Sequence, residues 1–186
     1  EVSAAEYPRA ERLTDYELGY GFRSSTFTVG VNFYYMDYKD QLVLNGKKSD
    51  VGGDLSENVA KSYRAGIEIN ASWRILPSLR WDLAFGTSKN RIKSYTLYAW
   101  SEKAQDNVAT VYKDTPIAYS PSMTLSNMLS FTQGNFEATL SSQYVGQQYL
   151  DNTGSKQRSL PSYHVASLRL GYDIPVRFAK RWNISL

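Results

Sequence analysis

Nucleophiles and metal ligands are scarce in this sequence, so any chemistry has to come from aromatic and charged side chains. There is no cysteine and only one histidine, His164, which leaves no thiolate site, no disulfide framework and no His-rich metal cluster. His164 reads as an interfacial or loop-proximal side chain. Arg64, Glu68, Arg74, Arg80 and Asp82 fall on neighbouring segments, placed to cross-pair as a solvated ladder or to touch another domain. No general acid–base pair follows from them. Tyr95, Tyr98, Trp100 and Tyr112 fall where periodicity is broken. Exposed Tyr and Trp hold flat or amphipathic ligands at low entropic cost, so these four are candidate ligand contacts, with self-packing of the loop as the alternative. No catalytic group and no cofactor is implied, and the chain does not read as an enzyme.

The bulk composition narrows the scaffold that must hold these groups. Of 186 residues, 15 are Tyr and 4 are Trp, a bias toward side chains that suit strands and wet-to-apolar boundaries. Mean hydropathy is −0.45, and no apolar run approaches the ~20 residues of a spanning helix. A membrane barrel stays open, because its strands meet lipid only at every second residue. The net charge of +3 is interspersed and forms no basic block, so nucleic acid is not an expected partner. Glu1 is followed by no export signal, and Leu186 falls inside a strand-like stretch, so a piece of a longer protein is expected.

Period-2 alternation dominates. Tyr16, Leu18, Tyr20 and Phe22 oppose Asp15, Glu17, Gly19 and Gly21; Phe27, Val29, Val31, Phe33 and Tyr35 oppose Thr28, Gly30 and Asn32. Tyr63, Ala65, Ile67, Ile69, Ala71 and Trp73 oppose Arg64, Gly66, Glu68, Asn70, Ser72 and Arg74, and Leu79, Trp81, Leu83 and Phe85 oppose Arg80 and Asp82. Further strands follow around Met123–Phe131, Phe136–Tyr144 and Ala166–Tyr172, with a last one at Trp182–Leu186. Placing Arg169 on the polar face fixes the parity, since a lipid-exposed Arg costs about 2–4 kcal/mol at mid-bilayer. Asn127 and Ser142 break the apolar face and suggest bulges or helix cover.

The connections alternate short and long. Short turns fall at 23–26, 75–78, 132–135 and around Pro175; long loops are expected at 37–59, 87–120 and 147–161. Outer-membrane barrels pair short periplasmic turns with long extracellular loops in this way. Two aromatic belts are expected on the apolar face. Phe22, Phe27, Trp73, Trp81, Phe131, Phe136, Tyr172 and Trp182 flank the short turns, while Tyr16, Tyr35, Tyr63, Phe85 and Tyr144 stand at the loop ends. The fold class expected is an all-β, antiparallel transmembrane β-barrel fragment of about seven to eight strands.

Three motifs sharpen this. Glu11-Arg12-Leu13-Thr14-Asp15-Tyr16-Glu17-Leu18-Gly19-Tyr20 resembles the E-x-L-x-x-Y-E-x-G strand of TonB-dependent outer-membrane receptors. Ser62-Tyr63-Arg64-Ala65-Gly66-Ile67-Glu68 is similar to that family's following S-x-x-x-G-x-E strand, and Leu160-Pro161-Ser162-Tyr163 leading into Leu168-Arg169-Leu170-Gly171-Tyr172 to the strand before the receptor's end. The likeness runs from about Arg9 to Leu186. It implies that residues 1–186 are the C-terminal part of a barrel of about 22 strands, with the plug domain and earlier strands outside the chain. It also implies an outer-membrane location with lipid as a partner, energy from the TonB complex through the plug, and a ferric siderophore or other metal complex as the transported ligand. Two rivals remain: a secreted β-sandwich that binds glycans, and a stand-alone eight-stranded barrel acting as an adhesin or anchor.

Overall fold

Alternating apolar and polar residues cannot bury one face as a helix but can as a pleated strand, where successive side chains point to opposite sides. The computed structural model describes residues 8–49, 51–175 and 182–186, apart from the side chains of Lys48, Trp182 and Asn183. Its strands are β1 (Arg12–Arg23), β2 (Phe27–Lys48), β3 (Asp54–Leu76), β4 (Leu79–Ser101), β5 (Asp106–Pro116), β6 (Met123–Gln133), β7 (Phe136–Val145), β8 (Gln148–Tyr149), β9 (Ser159–Leu160), β10 (Tyr163–Ile174) and β11 (Trp182–Ser185). The main sheet runs β1-β2-β3-β4-β6-β7-β10-β11, every pair antiparallel, while β5 pairs with the far end of β4 and β8 with β9.

Register carries the parity across the whole sheet. Leu18 faces Phe33, Phe33 faces Ile67, and Ile69 faces Phe85. Farther along, Trp81 faces Leu129, Leu129 faces Leu140, Leu140 faces Leu168, and Tyr172 faces Ile184. One face is therefore apolar from strand to strand. It is also uncovered: Leu18 is 71% exposed, Leu168 61% and Leu140 48%. No second sheet packs against it among the described residues. Asn127 and Ser142 prove to be direct cross-strand partners within unbroken β6–β7 pairing. No bulge interrupts the ladder there and no helix covers it among the described residues; two polar side chains face each other instead.

Aromatic residues gather at both ends of that face. Near the short turns, Phe22 and Phe27 have ring centroids 6.5 Å apart, Phe131 and Phe136 6.3 Å, and Trp73 is the register partner of Trp81. At the other end Tyr16 faces Tyr35, which stacks on Tyr63 at 5.9 Å, while Phe85 and Tyr144 both face Leu125. Tyr172 faces Phe136. Trp182 is placed opposite Ile174 by its backbone, its side chain lying outside the described residues. The turns are tight as expected, with Ser24 closing the first through its N–H to Phe27 O at 2.7 Å and Gly134 supplying φ 60° in the third.

The long connections differ from expectation. Residues 37–59 are mostly paired strand, because β2 runs 22 residues and β3 23, twice the ~9–11 needed to cross a membrane. Of residues 87–120, the stretch up to Pro116 is likewise mostly paired strand, the upper half of β4 against β5. Only 147–161 stays loop-like, with the short β8–β9 pair and one 3-10 turn at Lys156–Arg158.

The alternation was hidden because it is reset at one level. On the side carrying Arg64, the inward series in β2 passes from Tyr34 and Met36 to Gln41, Val43 and Asn45; in β3 from Arg64 and Ser62 to Val59; and in β4 from Asn90 and Ile92 to Tyr95 and Leu97. An odd step means a change of parity. Asp40 in β2 and Asp114 in β5 adopt φ 55° and 49° there, a left-handed conformation that non-glycine residues rarely take. Asn58 braces the bend, its amide donating to Asp40 O at 2.6 Å and Arg9 O at 3.0 Å, and Arg9 pairs with the Asp40 carboxylate at 3.0 Å.

An apolar face turned to hydrocarbon makes a directional demand. Leu140→Arg in the full-length protein is expected to cost about 2–4 kcal/mol of folding stability in lipid vesicles. Ser141→Arg, one residue along, on the opposite face and opposite uncharged Ser167 and Met128, should cost well under half of that in the same denaturant titration. Equal costs would reverse the assignment of faces.

Candidate functional site at the loop end

Beyond the aromatic end of the sheet the paired hairpins form a small core of their own. Val43, Val59, Ile92, Tyr95 and Ile117 are buried together, with Leu97 and Tyr112 packed on them. Tyr95 is 2% exposed, its hydroxyl donating to Leu44 O at 2.9 Å and its ring 6.3 Å from that of Tyr112. Burial, reinforced by the charges of Asp151 and Glu57, pushes this phenol up to about 12. Below it the Ser62 hydroxyl donates to Gln41 Oε1 in a buried contact.

Residues 117–122 fold back over the polar face. Arg64 donates to Ser120 Oγ at 2.9 Å, Thr87 Oγ1 to Ser122 O at 3.0 Å, and Ile117 N–H to Asn90 O at 3.3 Å. The 147–161 loop locks this segment from outside, with Ala118 N–H donating to Asn152 Oδ1 at 2.8 Å and Tyr119 N–H to Tyr149 O at 2.9 Å. Asp151 organises that loop. It accepts from Thr153 N–H at 2.9 Å, Thr153 Oγ1 at 2.6 Å and Arg158 at 2.9 Å. Burial alone would raise this carboxyl; the Thr153 bonds and Arg158 outweigh it and hold it below the ordinary aspartate range.

Two hollows result, one on each side of Arg64. The outer, about 340 Å³, is lined by Asp54, Tyr95, Leu97, Asp151 and Arg158 among others. The inner, about 370 Å³, is lined by Glu17, Asn32, Tyr34, Glu68 and Tyr119. Both can take polar or charged ligand atoms. Tyr34 also lies across Gly66, where an added Cβ would come 2.6 Å from the phenol oxygen and closer still to Thr87 O. Glycine is what lets the ring lie flat on the wall.

The residues singled out by sequence are brought together only in part. Tyr95 and Tyr112 touch but belong to the buried core. Tyr98 holds Lys47 3.9 Å above its ring, and Trp100 stands 62% exposed near the tip of the β4–β5 hairpin. Of the five charges, Arg80 and Asp82 pair at 2.7 Å along one strand instead of across strands, and Arg74 directly faces Arg80. Arg64 is the clasp on Ser120, and Glu68 lines the inner hollow. His164 is exposed opposite Tyr144. Asp151, Asn152, Arg158 and the 117–122 segment were missed, although Asp151-Asn152-Thr153-Gly154 carries turn chemistry that pointed to an ordered loop.

A family model described as "TonB dependent receptor-like, beta-barrel" matches residues 4–186. The chain is 25% identical over 179 residues to a pesticin receptor of Yersinia enterocolitica, covering 95% of this chain and 24% of that protein. It spans about a quarter of the length of the curated relatives it matches. Among solved structures, the ferric yersiniabactin uptake receptor FyuA from Yersinia pestis is similar with TM-score 0.60 at 20% identity, over 87% of this chain and 22% of that one. A structure of the copper transporter OprC is similar with TM-score 0.70 at 16% identity, over 100% and 26%.

Two outcomes follow from the loop-end geometry. Since the folded state holds the Tyr95 proton more tightly than the unfolded chain, the stability from its burial is complete below the ordinary phenol range and is lost as pH rises toward 12. The tyrosinate absorbance difference between the native protein and Tyr95→Phe should therefore titrate at about 12, and a difference at the ordinary phenol value would contradict the buried geometry. For Asp151 the sign is opposite: its contribution is present above the ordinary carboxylate range and lost as pH falls through its depressed value. Asp151→Asn should raise hydrogen exchange across 147–161 at neutral pH while leaving β6 and β7 protected.

Proposed function

The chain belongs to the TonB-dependent receptor β-barrel family, and from that membership we propose that its parent protein is an active importer of a scarce metal complex, a ferric siderophore in the first instance. Homologues in this family are integral outer-membrane proteins, and this wall of strands sits in the bacterial outer membrane. Family members are transport receptors.

In this reading residues 1–186 are the C-terminal part of the barrel, and a plug domain and earlier strands belong to the parent. The two aromatic rows mark the margins of the bilayer, where amphipathic rings are favoured. The TonB complex supplies energy through the plug. Support comes from relatives such as the ferric yersiniabactin uptake receptor and the copper transporter. The observation that carries it is the Arg64 side chain between two hollows, with the 117–122 segment held over a polar wall. Such a wall suits a wet, plugged lumen and offers cations and tyrosines to an anionic chelate. Trp100 and Tyr98 are the aromatic contacts best placed to meet a ligand first; Tyr95 and Tyr112 hold the scaffold beneath them. The stand-alone eight-stranded barrel is disfavoured because relatives covering 95% of this chain extend to four times its length.

The test is growth of a deletion strain on defined ferric and copper chelates. Loss of growth on at least one chelate, restored by the full-length gene only when TonB is present, is the expected result. Trp100→Ala combined with Tyr98→Ala should weaken uptake by roughly tenfold, as for loss of one aromatic anchor. Unchanged growth of the deletion strain on every chelate would sink the importer reading.

A further inference from the structure

On the apolar, outward side of the sheet, the aromatic row at the loop end is followed by a row of cations. Arg12 is the register partner of Lys39, and Lys39 of Lys61. Lys93 stands beside them on β4, its ammonium 5.1 Å from the Tyr63 ring centroid. Lys89, opposite Ala65, adds a fifth at the level of Tyr35. All five side chains are exposed. Because Tyr63 stacks on Tyr35, Lys93 is on the same outward face as the rings.

This arrangement costs the sheet something by itself, since like charges directly opposite on paired strands destabilise it. Little among the described residues offsets that. Arg12, Lys39 and Lys61 make no ion pair among the described residues, and Lys93 reaches only Asp114, at 3.9 Å with both side chains more than half exposed. The nearby carboxylates are otherwise engaged or set back: Asp40 is held by Arg9, Glu11 accepts from Leu42 N–H at 3.1 Å, and Asp37 is half-buried opposite Tyr63.

Depth and spacing define what would neutralise the row. Tyr16, Tyr35 and Tyr63 lie where rings meet the edge of hydrocarbon, so the cations one or two rows beyond stand among headgroups. Long Lys and Arg side chains can lay their stems on the rings and place their charges outward. Four neighbouring strands about 4.8 Å apart spread the cations over about 14 Å, enough for more than one phosphate. We propose that Arg12, Lys39, Lys61 and Lys93, with Lys89, form a docking surface for a lipid whose headgroup carries phosphate, in the leaflet around the loop end of the barrel. Its acyl chains lie on the apolar face below, along Leu18 and Phe33. This inference needs the membrane location but not the importer reading.

Native mass spectrometry of the full-length receptor in neutral detergent tests it, with three probes: lipid A bearing two phosphates, dephosphorylated lipid A, and inorganic phosphate. The wild type should retain the phosphorylated lipid about tenfold or more strongly than the dephosphorylated one, and millimolar inorganic phosphate should not displace it. The variant Arg12→Gln/Lys39→Gln/Lys61→Gln/Lys93→Gln, checked for folding by heat-modifiable gel mobility, should lose the preference. Lys103→Gln on the β4–β5 tip should keep it. Equal retention of the two lipids by wild type overturns the proposal without reference to any variant. So does an unchanged preference in the folded variant, or displacement by inorganic phosphate, which would make the row a free-anion site.

Discussion

Everything in this molecule depends on the backbone satisfying itself. In hydrocarbon no water is available to an N–H or C=O, so strands must pair along their whole crossing length. Pairing in turn ties the faces together, because side chains alternate and a slip of one residue would exchange them. The observed register is consistent with that demand over eight strands, from Leu18 opposite Phe33 to Tyr172 opposite Ile184. Even the polar pair Asn127 and Ser142 is accommodated without breaking the ladder.

Where the same strands leave the membrane, the rule relaxes and a second kind of structure begins. Water lies on both sides, so the hairpins bury residues against one another: Val43, Val59, Ile92 and Tyr95 make a core that the bilayer could not provide. Segment 117–122 and the Asp151-centred loop close over it. The loop end is thus a folded layer on top of a wall, and Arg64 is the side chain joining the two.

How much of this could be read from the residues alone follows the same division. Inside the membrane each side chain has one of two environments, and alternation in stretches such as Tyr63–Trp73 reports it directly; faces and turns were legible there. Above it, Val43 and Val59 sit inside while their neighbours of the same parity lower down sit outside. A pattern that reverses at Asp40 looks like no pattern, so paired hairpins passed for loops. Tyr95 passed for an exposed loop side chain for the same reason: its type suggests a surface, and only the meeting of β2, β4 and residue 117 buries it. Likewise, nothing in sequence order brings Arg64 to Ser120, 56 positions away.

The bend at Asp40 and Asp114 has an evolutionary corollary. By resetting which residues point inward, it uncouples the bookkeeping of the outer hairpins from that of the wall beneath. A residue gained or lost above the bend shifts only the outer tier, while Tyr35, Phe33 and their partners keep facing hydrocarbon. Descendants of such a chain are free to lengthen, shorten and redecorate their outward-reaching tips, and so to change what they recognise, on a wall that stays the same.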